Sequence, residues 1–247
     1  NFATIVHAIE EGRAVYTNIR KFVTYVLASN VPEIVPYLGF GLSSMPLALT
    51  IPQILAVDLG TDMVPALALA AEPPEGGVMD DPPRPRTERL LSWDVILRAY
   101  AFLGLIEAGI AMGGFFLYLY SQGWSWAAPL DWTSPLYKEA TPVTFAGIVA
   151  AQVANVFACR SDRISAFRLG WFSNPLILVG VAVELTILLV MTYSPVGHLV
   201  LGTASLPAWI FGSLALGAIG LLLADELQKF VRGRMGARLP LQAGRGM

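Results

Sequence analysis

Asp58, Thr61 and Asp62 fall at i, i+3 and i+4 in the string IPQILAVDLGTDMVPALALA, so a helix there puts two carboxylates and a hydroxyl on one face. Asn30 and Glu33, three apart in SNVPEIVPYL, add an amide oxygen and a third carboxylate on one face of another helix. An oxygen-only set of this kind suits hard cations such as Ca2+, Na+ or K+; copper and zinc favour thiolate or imidazole. The backbone around these residues is weakened as well. Pro32 and Pro36 each remove a donor and obstruct the carbonyl four residues earlier, which predicts a kinked or unwound turn with free carbonyls between Ala28 and Pro32. Gly60 and Pro65 predict an interruption of the second helix near Asp58–Asp62.

Two more acids, Glu107 and Glu184, share the setting of Glu33, Asp58 and Asp62: apolar stretches with no lysine or arginine at the same depth. A charge near the centre of a bilayer costs at least ~2.5–3.5 kcal/mol, so such groups face a protein interior and carry function. Three carboxylates crowded in a low-dielectric site cannot all stay ionised unless a cation arrives. The surroundings of Glu107, FLGLIEAGIAMGG, hold small residues that permit close helix approach. Glu107 is therefore expected to be protonated or hydrogen-bonded to a neighbouring helix, and not to be an ion ligand.

The elements that must position these groups are membrane helices. With 55% hydrophobic and 14% charged residues in 247, and a mean hydropathy of +0.60, the composition is unlike that of a soluble domain. Six apolar runs are each near the ~20 residues a span needs: 22–42, 47–69, 95–120, 141–158, 175–193 and 207–227. A soluble bundle would show polar outer faces, and the last two runs show almost none. Fifteen of the sixteen basic residues lie on one side of this arrangement, with Lys138 alone opposite. Basic residues are retained in the cytoplasm, so both termini are expected there.

The expected organisation is an all-α membrane bundle in three parts. Residues 1–21 form a cytoplasmic stalk leading into the first helix, 22–227 the six-helix domain with its broken second helix, and 228–247 a basic tail. The chain opens at Asn1 without an initiator Met, a charged leader or a cleavage signal, and reads as a segment of a larger protein. The proline-rich stretch EPPEGGVMDDPPRPRTERL is too polar and broken to span and is expected as a cytoplasmic loop. A net charge of −2 gives no case for nucleic acid, and the terminal basic residues are explained by topology and lipid headgroups. Cys159 alone excludes an intrachain disulfide and is expected to pack. His7 and His198 are too far apart in this topology for a metal site.

The strings EEGRAVYTNIRKF, SNVPEIVPYL and DLGTDMVPALALAAEPPEGGVMDDPPR closely resemble the C-terminal membrane half of P-type cation ATPases, in the group of the calcium and sodium/potassium pumps. The resemblance runs through nearly the whole chain, although the last three segments match mainly in pattern. It implies that the six spans are the fifth to tenth of ten, and that Asn30, Glu33, Asp58, Thr61 and Asp62 are cation ligands. Asp58 and the string DLGTDMVPA look more like sodium/potassium-type pumps, and Ser29 matches a position associated there with monovalent ions. Gln152, Asn155 and Glu184, in QVANVFACR and VELTILLVMTY, resemble positions of an additional ion site, where the family has an acid in place of Asn155.

The resemblance further implies an ion-translocating ATPase in the plasma membrane, partnered by the bilayer and by the N-terminal half of the same pump. It names no accessory subunit. The phosphorylated-aspartate motif DKTGT and a Gly-rich phosphate loop are absent from this sequence, so ATP and Mg2+ would act only through the pump's cytoplasmic domains. The chain alone is expected to be inactive. A six-helix secondary cation transporter or channel is the alternative, but such folds usually repeat the broken-helix motif in two halves, and here it occurs once. A regulatory membrane subunit is a third reading, distinguished by an absence of ion-dependent stabilisation.

Overall fold

A computed structural model describes residues 1–80, 82, 89–126 and 128–236. Arg84, Arg86, Arg238 and Arg245 of the charge count, and the tail beyond Gly236, lie outside the described residues. Within them the chain is helical and carries no strand. Five helical stretches are long and apolar enough to cross a membrane: Ile51–Ala70, Trp93–Ser121, Pro135–Ala158, Pro175–Tyr193 and Ala208–Arg234. The first expected run is helical but is not among these five. Ser29, Asn30, Glu33 and two prolines dilute its apolar character.

Helix α1 (Phe2–Leu42) starts where the Asn1 side chain accepts from the Ala3 N–H at 3.1 Å. Its first dozen residues are mostly exposed, and its buried positions begin at Ala14. The helix passes through Pro32 and Pro36 without unwinding. Packing explains how the turn survives. Val31 presses on Gly104, and a side chain at Gly104 would come within 2.9 Å of the Ala28 carbonyl oxygen, the acceptor that Pro32 deprives of a donor.

The second stretch is α2 (Ile51–Ala56), a π-helical turn (Val57–Thr61) and α3 (Met63–Ala70). Gln53 fixes its start by accepting from the Thr50 N–H at 2.9 Å. The wide turn closes with the Asp62 N–H bonded to the Val57 carbonyl at 3.0 Å, five residues back, and α-helical bonding resumes from Asp62 to Ala66. Pro65 offers no N–H to the Thr61 carbonyl four residues before it. The third stretch repeats the device on a larger scale: α4 (Trp93–Ile96), an eight-residue π-helical segment (Leu97–Gly104) and α5 (Leu105–Ser121). Nothing in the sequence reading foresaw it.

Helix α6 (Pro135–Ala158) is the centre of the bundle and is buried over nearly its whole length against α5, α8 (Pro175–Tyr193) and α10 (Ala208–Gly236). Two short helices, α7 (Ala166–Leu169) and α9 (Pro195–Leu201), turn the chain between the long ones. At Gly147 the backbones of α6 and α5 nearly touch, since a Cβ there would lie 2.7 Å from the Ala111 Cα. The outer faces are apolar. Leu55, Leu59, Met63 and Leu67 form an exposed stripe at four-residue spacing, and α10 shows another through Leu216, Ile219, Leu223 and Leu227. Exposed Trp93 lies at one end of the bundle and Trp126, Trp132 and Trp209 at the other, the placement of interfacial aromatics.

The buried apolar residues form two clusters stacked along the helices. One includes Val57, Ala111, Phe115, Val149 and Leu188; the other includes Ala66, Leu103, Ala154 and Ile177. At the end holding the second cluster, acids and bases pair. Both Nε and Nη2 of Arg160 donate to Glu72, at 2.8 and 2.6 Å, while Asn174 donates to its other oxygen and Asn18 to its carbonyl. Lys21 meets Glu75 at 2.8 Å, and Asp225 accepts from Arg98 at 2.8 Å and from Lys229 at 2.6 Å. Glu72 therefore ties α1, α3, α6 and α8 together. Breaking a buried pair from one side strands the other charge, so Arg160→Ala should cost about 3–5 kcal/mol of stability. A thermal unfolding curve in detergent coincident with that of the unsubstituted protein would contradict this.

Candidate functional site

The remaining buried acids fall between the two apolar clusters. Along the second stretch Thr61 and Asp62 lie between Val57 and Ala66; along α5 Glu107 lies between Leu103 and Ala111; along α8 Glu184 lies between Ile177 and Leu188. Gln152 and Asn155 supply α6 at this level. Four long elements and α1 thus bring polar side chains to one layer inside an apolar bundle.

Asp62 is the hub. Its two oxygens accept from the Ser29 hydroxyl at 2.6 Å and the Tyr25 hydroxyl at 3.3 Å. Tyr25, fully buried, also lies 3.2 Å from a Glu184 oxygen, so one phenol spans two acids from α3 and α8. Its single hydrogen serves one of them at a time. The Thr61 hydroxyl donates to Gln152 Oε1 at 3.1 Å and reaches the Val57 carbonyl at 3.2 Å, which joins the π-helical turn to α6. Glu33 and Asp58 form a second group. Their carboxyls lie within hydrogen-bonding range of each other and feel the charge of Asp62. Two acids in contact require a shared proton or a cation between them.

The sequence-derived set is therefore drawn together in part. Ser29, Asp62 and Glu184 converge through Tyr25, Thr61 meets Gln152, and Glu33 meets Asp58. Asn30 is half-buried and makes no side-chain hydrogen bond among the described residues. Among those residues no three His, Cys, Asp or Glu side chains close around one point. An ion here would complete its shell with hydroxyl, amide and carbonyl oxygens. Among the described residues no lysine or arginine pairs with any of the five acids; the buried bases are held by Glu72, Glu75 and Asp225.

One residue escaped the sequence reading. Tyr25 lies one helical turn before Ser29, and that i, i+4 spacing was the available signal. Glu107 was expected to be protonated or hydrogen-bonded to a neighbouring helix. It faces Asn155 and lies within the field of Asp62 and Glu184, yet neither its oxygens nor the Asn155 amide nitrogen has an aligned hydrogen bond. Cys159 packs as expected, its thiol 3.2 Å from Asn155 Oδ1. The histidines are separate: His7 lies beside Glu10, and His198 Nε2 contacts the Thr192 carbonyl.

Apolar outer faces, interfacial aromatics and an enclosed polar layer define an integral membrane protein with a polar interior. The family described as "Cation transporting ATPase, C-terminus" matches residues 46–231. The sodium/potassium-transporting ATPase subunit alpha of Tetronarce californica is 34% identical over 263 residues, covering 95% of this chain and 25% of that protein. The alpha-3 subunit of Homo sapiens is 33% identical with 95% and 26% covered, and the alpha-2 subunit of Gallus gallus 37% identical over 223 residues, with 79% and 22% covered. This chain belongs to the P-type cation-transporting ATPases, as their C-terminal membrane part. It spans about a quarter of the length of these relatives.

The bridging phenol makes a specific prediction. Tyr25→Phe keeps the ring but removes the hydroxyl from two buried acids, and should lower stability by about 1–3 kcal/mol. Unchanged thermal stability would mean that Ser29 alone satisfies Asp62.

Proposed function

We propose that this chain is the ion-binding and translocating membrane half of an ATP-driven cation pump of the sodium/potassium type. The observation that carries the reading is a buried layer of carboxylates and hydroxyls, enclosed by apolar helices and left without basic partners, in a member of a cation-pumping family. Glu33, Asp58 and Asp62 are the charged ligands, with Asn30 and Thr61 as neutral partners. Ser29, Gln152, Asn155 and Glu184 serve an additional ion. Na+ and K+ are favoured over Ca2+ because the matched relatives are sodium/potassium-transporting ATPases.

In this reading the second half of α1 is a sixth span, and its exposed beginning, residues 1–21, is a stalk on the cytoplasmic side. Residues 22–227 are the transport domain, and 228–247 a basic tail. The second span works as a broken helix, with the π-helical turn at Val57–Thr61 as its weak point. The ion-paired end faces the cytoplasm, together with both termini, by the basic-residue asymmetry. The setting is the plasma membrane. ATP, Mg2+ and the phosphorylated aspartate belong to the N-terminal half of the pump, so the chain alone neither hydrolyses ATP nor holds ions tightly.

Asp58→Asn or Asp62→Asn in the full-length pump keeps the shape of the site and removes a charge. Each should raise the Na+ concentration needed for phosphorylation from ATP by about tenfold or more. Normal Na+ dependence in both variants would defeat the ligand assignment, and ATP turnover by the purified 247-residue chain would defeat the division of labour.

A further inference from the structure

Glu107 has no role in the proposed site, and its surroundings are at odds with a packing residue. Its side chain is fully enclosed and within hydrogen-bonding range of the Asn155 side chain, yet neither of its oxygens makes an aligned hydrogen bond. Three other buried polar atoms at this level are also unpartnered: Asn155 Nδ2, Gln152 Nε2 and one oxygen of Glu184. Gln152 and Asn155 are three apart on α6 and share a face. A buried acid with no partner is costly, and a hydrophobic residue of similar size would fill the space more favourably.

The backbone holds the carboxylate in place. Gly104, three residues before it, is pressed against the Ala28 carbonyl and Val31 of α1; Ala111, four residues after it, is pressed against Gly147 of α6. Gly104, Glu107 and Ala111 lie on one face of the helix, so the acid is clamped between α1 and α6 and cannot turn toward lipid. The long π-helical segment ends three residues before it, and such segments frequently mark functional sites. Its carboxylate faces Asn155 and lies in the field of Asp62 and Glu184.

We infer that Glu107 is a further charged ligand of the additional monovalent-cation position proposed above, beside Glu184, Asn155, Gln152 and the Tyr25 hydroxyl and apart from the Glu33–Asp58 pair. Two carboxylates with amide and phenol oxygens form a hard-cation set in which the unpartnered oxygens of Glu107 and Glu184 gain a purpose. The inference rests on the proposed pump function and adds a ligand that the sequence reading excluded. Glu107 faces Asn155 across the interface of α5 and α6, so an acid at either position serves the same layer.

The test is equilibrium binding of radiolabelled Na+ to the full-length pump, with K+ measured in parallel. Glu107→Gln should lose one bound Na+ per pump or weaken its binding about tenfold or more, and Glu107→Gln/Asn155→Asp should recover it by returning the acid to α6. Should Glu107→Gln not give monodisperse protein, Glu107→Asp carries the test through the same weakening in a folded pump. Unchanged Na+ count and affinity in Glu107→Gln, with binding lost in Asp58→Asn, would overturn this inference alone. So would a loss that Asn155→Asp does not recover, which assigns Glu107 to packing. An unsubstituted pump that binds neither ion would overturn the function on which it rests.

Discussion

The organisation of this chain follows from one constraint: acids placed inside an apolar bundle where no base can reach them. In water a carboxylate needs no partner, but in a low-dielectric interior its isolation costs several kcal/mol. The bundle meets the constraint by gathering its acids at one level, between two separate apolar clusters, where they share a phenol and a serine beside two amide side chains. The apolar clusters provide cohesion, while the layer between them stays electrostatically incomplete. Only protons or cations can complete it.

Acids toward the charged end of the same bundle are treated differently. Glu72 and Asp225 are buried too and Glu75 partly so, yet each has a lysine or arginine within 2.8 Å. Chemistry alone does not separate the two groups, since both are carboxylates on or beside apolar helices. Their distance from the basic residues does. Paired acids bind the helices to one another, and unpaired acids are left to bind something else.

Much of this was legible in the residues. The i, i+3, i+4 spacing of Asp58, Thr61 and Asp62 grouped them; the structure buries Thr61 and Asp62 and bonds the first to α6 and the second to α1. The strings around Ser29–Leu38 and Asp58–Arg84 were specific enough to identify the family. Other features were not accessible from periodicity. A π-helical segment shifts every later side chain by a fraction of a turn, so the inward face of Glu107 depends on Leu97–Gly104, which carries no proline to announce it. The prolines misled in the opposite direction. Unwinding at Pro32 seemed required by its missing donor, but Gly104 lets the third helical stretch pack directly on the bereft Ala28 carbonyl. Such compensation depends on a residue some seventy positions away in the chain.

The shared Tyr25 has a consequence for biogenesis. Membrane helices enter the bilayer in chain order, and a lone acid at the centre of a span raises the cost of insertion by about 2.5–3.5 kcal/mol. Asp62 arrives with partners already in place, because Ser29 and Tyr25 lie on the helix just before it. Glu184 arrives late and also finds Tyr25 waiting. Glu107 differs, since the α6 residue it faces, Asn155, has yet to be synthesised when α5 leaves the ribosome. Its span must therefore enter carrying an unsatisfied acid, and the long apolar run from Leu103 to Leu119 is what makes that entry feasible.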